Sequence, residues 1–380
     1  MGPQVDSDEI RARGQVSEPT GRLQSIDALR GFDMFWIMGG DALFRAIANA
    51  AGAPWSPLVL RQLEHAEWEG FYFYDLIFPL FLFLVGAVLP FSLARQRSVP
   101  AALGRIGRRT LLLVLFGLIY NGLLRFEWED LRLAGVLQRI GICYGTGAPI
   151  VMMTRSSVVI RTVLALAILV GYTAIFQSFA PPGGSLGDYA KETNLAGWVD
   201  RTYLPGKIYP AYYGFGDNEG LLSTIPAVAT VLLGAVAGEI LRKNGSPRGK
   251  LVALGLYGAI ALVAGYSAQG YCPIVKNLWT ATFVLVSAGW SFLLLALFYA
   301  IIDVKGWRAW SFPFVVIGAN AITIYLAPVL VDFEFSAAAI FGGLARAVGL
   351  WGPAVIAAGA ILCKWVFLYV LYRNRWFLRV

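Results

Sequence analysis

Charged side chains are scarce in this chain, making up 14% of 380 residues against 58% hydrophobic. A soluble domain carries roughly 25% charged residues, so an ordinary water-facing surface is excluded. Histidine occurs once, at His65, and cysteine three times, at Cys143, Cys272 and Cys363. An odd number of cysteines at unrelated spacings supports neither a disulfide framework nor a thiolate metal site. One histidine with scattered cysteines also argues against zinc, so no metal is expected. Neither a Walker-type phosphate loop nor an HExxH motif is present. Long polar stretches are missing too, which leaves no room for a second, soluble domain. The N-terminal segment is polar and lacks the apolar core of a cleavable signal peptide. Residues 1–24 are therefore expected to form a polar cytoplasmic tail, and 25–380 a single transmembrane domain.

What is present is a series of apolar runs, at roughly 26–47, 71–93, 110–124, 134–153, 158–179, 221–241, 251–267, 279–302, 310–331 and 351–372. A helix needs about 20 apolar residues to cross a bilayer. The fold class expected is thus all-α: a polytopic integral membrane protein with about ten transmembrane helices. Cytoplasmic loops retain Lys and Arg. The tail and alternate connections (Arg11, Arg13 and Arg22; Arg95 to Arg109; Arg155 and Arg161; Arg242 to Lys250; Lys305 and Arg308; Arg373 to Arg379) hold 19 such residues. The other set holds 9, spread over longer loops. The bias puts both the N and C termini in the cytoplasm. It also makes the net charge of +8 a topological signal rather than a nucleic-acid surface. Two outer loops are long, near 48–70 and 180–220. The second carries Trp198, Tyr203, Tyr209, Tyr212, Tyr213 and Phe215. No convincing internal repeat is visible.

Polar residues stand where lipid is expected. On a helix turning ~100° per residue, Asp27, Arg30, Asp33 and Asp41 fall within an arc of about 120°. Asp41 lies roughly 21 Å beyond Asp27 at 1.5 Å per residue. A charge at the bilayer centre costs at least ~2.5–3.5 kcal/mol, so this stripe must face protein or a wet cavity. Asp27 and Arg30, three apart, can pair, and internal ion pairing that only fixes helix packing is the plainer alternative. Gln138 and Arg139 open a further run; Asn218 and Glu219 lead into another; Lys276 and Asn277 precede Trp279; Asn320 sits mid-span. A translocation path and a membrane-embedded active site each explain such groups. His65 lies in EHAEWEGFYFYDLIFP on the outer side, among Glu64, Glu67 and Glu69. Histidine is the side chain whose unperturbed pKa suits proton transfer near neutral pH. Its plainer reading is an interfacial residue beside Trp68 and Tyr72, in an aromatic belt.

At these residues the chain resembles a known family. SIDALRG, HAEWEGFYFYDLIFPLFLFLVG, LRLAGVLQRIGICY, GDNEGLLSTIPA, CPIVKNLWTATFVL and GANAITIY appear in order. Together, over about residues 22 to 375, they resemble the heparan-alpha-glucosaminide N-acetyltransferase family, in its shorter bacterial form. The resemblance implies acetyl transfer from cytoplasmic acetyl-CoA to an amino sugar of the glucosamine type on the outer side. It also implies a multi-pass protein of the bacterial inner membrane, in contact with lipid, and a homodimer. His65 matches the family's active-site histidine, as base or acetyl carrier. Asp41 stands where the lysosomal enzymes carry an asparagine; an ionised carboxylate accepts only, and there it suits the acceptor's amine. Asp75, Glu219 and Arg139 are expected to orient neighbours or acceptor. Asn218, Asn277 or Lys276 would serve the oxyanion, and the aromatics of 180–220 the apolar faces of a sugar. Asp27, Arg30, Asp33, Trp68, Gln138, Trp279 and Asn320 complete the expected binding set. The rival is a secondary transporter for a sugar or another polar solute.

Overall fold

The computed structural model describes residues 23–95, 98–208 and 213–378. The tail through residue 22, with Arg11, Arg13 and Arg22, and also Arg97, Tyr209, Tyr212 and Arg379, lie outside the described residues. The chain folds as helices: α1 Gln24–Phe35, α2 Asp41–Ala51, α3 Ser56–Gln62, α4 Ile77–Ala94 and α5 Val99–Tyr120. They continue as α6 Val136–Met153, α7 Val158–Ser178, α8 Leu195–Tyr203, α9 Leu221–Arg242 and α10 Pro247–Ser267. The last are α11 Ala281–Phe298, α12 Phe312–Ala319, α13 Ala321–Leu326, α14 Phe333–Ala347 and α15 Gly352–Arg373.

Among the described residues, six helical stretches are long and apolar enough to cross a membrane: Phe73–Ala94, Val158–Ser178, Leu221–Arg242, Pro247–Ser267, Ala281–Val304 and Gly349–Arg373. A seventh is a pair bent by 64°, Ala309–Ala319 with Ala321–Val329. The chain is a multi-pass membrane protein. The three remaining apolar runs are helical as well, but each is compromised as a span. α5 opens with Arg105, Arg108 and Arg109, α6 carries Gln138 and Arg139 in its first turns, and the first run is broken.

That break corrects the straight helix expected over 26–47. A π-helical turn, Trp36–Gly40, separates α1 from α2, with Gly39 at φ 127. A π turn shifts the angular phase of everything beyond it, so Asp41 does not continue the stripe begun by Asp27. Lys364 of α15 donates to the Met38 carbonyl at 2.7 Å and so satisfies a backbone group in this turn. Sequence periodicity also passed over α14, whose 15 residues are too short to look like a span.

The centre of the bundle is α9, packed on α4, α6 and α7. In lipid, apolar burial does not distinguish neighbours, and small residues let backbones approach. A β-carbon added at Gly86 of α4 would lie 1.9 Å from the Val231 carbonyl oxygen of α9. One added at Gly234 would lie 1.9 Å from that of Phe83, and at Gly238 2.0 Å from that of Ala87. The α1–α12 contact is built the same way, through Gly31 against Phe314 and Gly318 against Asp27. These contacts leave the N-terminal ends of α4, α6, α9 and α11 and the C-terminal end of α5 grouped around one cavity.

Candidate active site

His65 lies between α3 and α4, on a segment tied down at both ends. Gly70 donates its amide to the Ile274 carbonyl at 2.9 Å, and Glu69 bridges Val275 in antiparallel fashion. The facing turn, 272–280, is itself fixed. Val275 donates to the Thr280 hydroxyl at 3.1 Å, that hydroxyl donates to the Pro273 carbonyl at 2.8 Å, and Tyr172 donates to the Leu278 carbonyl at 2.7 Å. Two rigid turns therefore set His65 opposite Lys276.

Asp75, fully buried just before α4, organises the pair. One oxygen, Oδ2, accepts the amides of Ala66 at 3.2 Å and Tyr72 at 3.0 Å. The other, Oδ1, lies 2.8 Å from His65 Nδ1 and 3.4 Å from Lys276 Nζ. An ionised carboxylate only accepts, so Nδ1 carries the proton and Nε2 keeps a lone pair. The Lys276 ammonium is 2.8 Å from Nδ1 and 3.1 Å from Nε2. Such nearly equal distances put it over the ring rather than in line with either nitrogen. Burial holds the His65 imidazole below its ordinary value; the hydrogen bond to Asp75 opposes this and the Lys276 charge adds to it. Burial also lowers the Lys276 ammonium, against the pull of Asp75 and Glu219.

The pair opens on a cavity of about 530 Å³. Its polar lining is His65, Lys276, Asn277, Asn218, Glu219 and Arg132; its apolar lining includes Met34, Ile37, Phe78, Phe81 and Ile322. Arg132 is held by Asp217, whose oxygen meets its Nε at 2.8 Å, and by Glu219. The Asp200 carboxylate braces this corner by accepting the amides of Asp217 at 3.1 Å and Leu221 at 2.9 Å, and burial pushes it up to about 6. Asn218 turns a side-chain oxygen inward that has no hydrogen-bond partner. The wall at Trp279 is strained: this bulky residue has φ 52, in the left-handed region, where strain costs on the order of 1–3 kcal/mol. Its ring lies under the Arg139 guanidinium at 5.0 Å, and its Nε1 donates to Thr230 at 3.2 Å.

Of the residues singled out from sequence, His65, Lys276, Asn277, Asn218, Glu219 and Trp279 line this cavity, and Asp75 stands behind His65. Arg139 stands behind Trp279 and donates to the Gly220 carbonyl at 3.3 Å; Gln138 packs against Gly117. Other positions lie elsewhere. Asp41 begins α2 beyond the π turn, Asp27 pairs with Arg30 at 3.6 Å, and Asp33 is fully buried in α1. Asn320 sits at the α12–α13 break, where it donates to the Trp376 carbonyl at 3.2 Å. Trp68 donates to the Tyr189 carbonyl at 2.9 Å and packs on Tyr213. Contrary to the role expected for the 180–220 aromatics, none of those described lines the cavity. The aromatic walls come instead from Tyr74, Phe78, Phe81, Tyr120, Trp279 and Tyr325. Sequence reasoning missed Arg132, which looked like one more loop cation. The carboxylates at 217 and 219 were the available signal.

Comparison with known proteins bears on this site. The chain is 27% identical over 381 residues to the heparan-alpha-glucosaminide N-acetyltransferase of Homo sapiens, covering 85% of this chain and 55% of that one. It is also 27% identical over 367 residues to the Mus musculus protein of the same name, covering 81% and 54%. The chain is similar to these N-acetyltransferases over most of its own length. It spans about half the length of the curated relatives it matches. No family model matches the chain. The resemblance noted from short motifs is therefore matched by a relationship over most of the sequence.

Proposed function

We propose that the chain is a transmembrane acetyltransferase that moves an acetyl group from acetyl-CoA to the amine of a glucosamine-type amino sugar. The observation that carries this is the His65–Asp75 pair, with Nε2 left as a base on a cavity lined by both polar and apolar side chains. Only the free amine of an amino sugar attacks, so a general base is needed. The fixed tautomer at Nδ1 supplies one. The apolar lining suits an acyl chain and the pantetheine arm, while Asn218, Glu219 and Asn277 suit the hydroxyls and amine of a sugar. Asn277 or Asn218 also provides a side-chain N–H for the oxyanion. The family relationship supports the same chemistry. In this proposal both termini are cytoplasmic, the chain crosses a bacterial inner membrane ten times, and the donor enters from the cytoplasm. Residues 25–380 form one acyltransferase domain.

A secondary transporter is the second reading, and the broken pair Ala309–Ala319 and Ala321–Val329 favours it, since interrupted helices often form transport sites. Purified protein given labelled acetyl-CoA and a panel of amino sugars separates the two. Acetylated sugar is the expected product. Solute uptake into vesicles without acetyl-CoA, and no acetylated product, would favour the transporter.

A further inference from the structure

Lys276 has no role in a mechanism that asks only for a base, yet the fold spends a strapped turn on placing it. Its ammonium lies within 2.8 and 3.1 Å of the two His65 nitrogens, 3.4 Å from Asp75 Oδ1, and on the cavity wall. A cation over a base that must accept a proton opposes that acceptance, unless it gives up a proton of its own in the same reaction.

We propose that Lys276 is the general acid that protonates the departing thiolate, with His65 as the base. The assignment rests on the acetyltransferase reading above. The acceptor's amine nitrogen bonds to the acetyl carbonyl carbon, and His65 Nε2 takes the N–H proton. The C–S bond then breaks, its electron pair stays on sulfur, and the Lys276 ammonium delivers a proton to that sulfur. The imidazolium then gives its proton to water, and the neutral Lys276 amine takes one from water. Amide and free thiol leave, and both residues regain their starting states. Apolar walls at Phe78, Phe81 and Ile322 solvate a bare thiolate poorly, which is why an acid is useful here. Burial lowers the Lys276 ammonium, which eases release of its proton.

Several charged groups face the pair. Asp75 belongs to the turn before α4. Glu219, before α9, is bound to Arg132. Arg45 of α2 donates to the Leu63 carbonyl and lies 3.8 Å from Glu64. Glu219 and Asp75 favour the ammonium, and Arg45 disfavours the imidazolium.

The test compares wild type with Lys276→Ala and Lys276→Arg in the full-length purified protein, with acetyl-CoA binding measured alongside as a check on folding. Transfer from acetyl-CoA should fall on the order of 10²–10⁴-fold in both variants, since an arginine does not release its proton. The alkaline limb of the wild-type rate should lie below the ordinary lysine value. Replacing the alkyl thioester by an aryl thioester, whose thiolate leaves without a proton, should restore Lys276→Ala to within about tenfold of wild type. It should not restore His65→Ala. Lys276→Arg retaining wild-type transfer, or an equal loss with both donors, would overturn the assignment. Absence of transfer by wild type from acetyl-CoA would instead remove the acetyltransferase reading itself.

Discussion

Replacing Asp75 by asparagine perturbs the site with almost no change in volume. Asp75 accepts four contacts: the amides of Ala66 and Tyr72 on Oδ2, His65 Nδ1 at 2.8 Å and Lys276 at 3.4 Å on Oδ1. An asparagine oxygen keeps the two amides, which turns its N–H₂ group toward His65 and Lys276. The imidazole must then accept at Nδ1, and its proton moves to Nε2, the nitrogen required as the base. General-base catalysis contributes typically 10²–10⁴-fold, so kcat should drop by that factor, about 3–5 kcal/mol of barrier. Lys276 also loses its counter-ion, and orphaning a buried polar partner costs roughly 1–3 kcal/mol, visible as a lower melting temperature in detergent. The assay is single-turnover acetyl transfer to glucosamine at saturating acetyl-CoA, beside a binding titration. Asp75→Asn working within about threefold of wild type would refute the tautomer argument, since the loss expected is at least about 10²-fold.

Other outcomes follow from the same structure. The acid limb of the pH–rate profile should lie below the ordinary histidine value. Burial and Lys276 disfavour the imidazolium, so once the acceptor's own protonation is corrected for, the remaining acid limb is that of the base. A limb at or above 6.5, the unperturbed value, would contradict the geometry around His65. Gly234→Val places a branched side chain against the Phe83 carbonyl, where even a β-carbon has only 1.9 Å. Overpacking of this kind costs typically 1–3 kcal/mol and occasionally more, so α4 and α9 should separate and thermal stability in detergent should fall. Stability equal to wild type would mean that the two helices do not pack through these glycines.

The helices were largely legible because lipid imposes a simple rule: apolar runs of sufficient length are helical. All ten runs fall on helices, although six or seven pass as spans on length and apolarity. What periodicity did not reveal depends on local backbone. At 3.6 residues per turn Asp41 falls on the stripe of helix one, whereas the π turn at Trp36–Gly40 separates it from that stripe. Asn320 reads in sequence as a polar group facing a cavity, but from the α12–α13 break it satisfies backbone groups of the C-terminal segment. His65 stands out as the single histidine, and Asp75 enters only through the family resemblance. Their contact with Lys276, 211 residues away from His65, depends on the bridge between Glu69 and Val275. No pattern within either segment announces that bridge. Arg132 was hidden for another reason: one cation in a loop has no periodicity, and only its partners at 217 and 219 give it meaning.

The central claim is that His65 is the base, or acetyl carrier, of an acetyl transfer. Transfer of label from acetyl-CoA to glucosamine by purified wild type and His65→Ala tests it most directly, with acetyl-CoA binding as the measure of a folded site. Acetylated glucosamine from wild type, and at least about 10²-fold less from His65→Ala despite retained binding, is the predicted result. Equal transfer by the two proteins would contradict it.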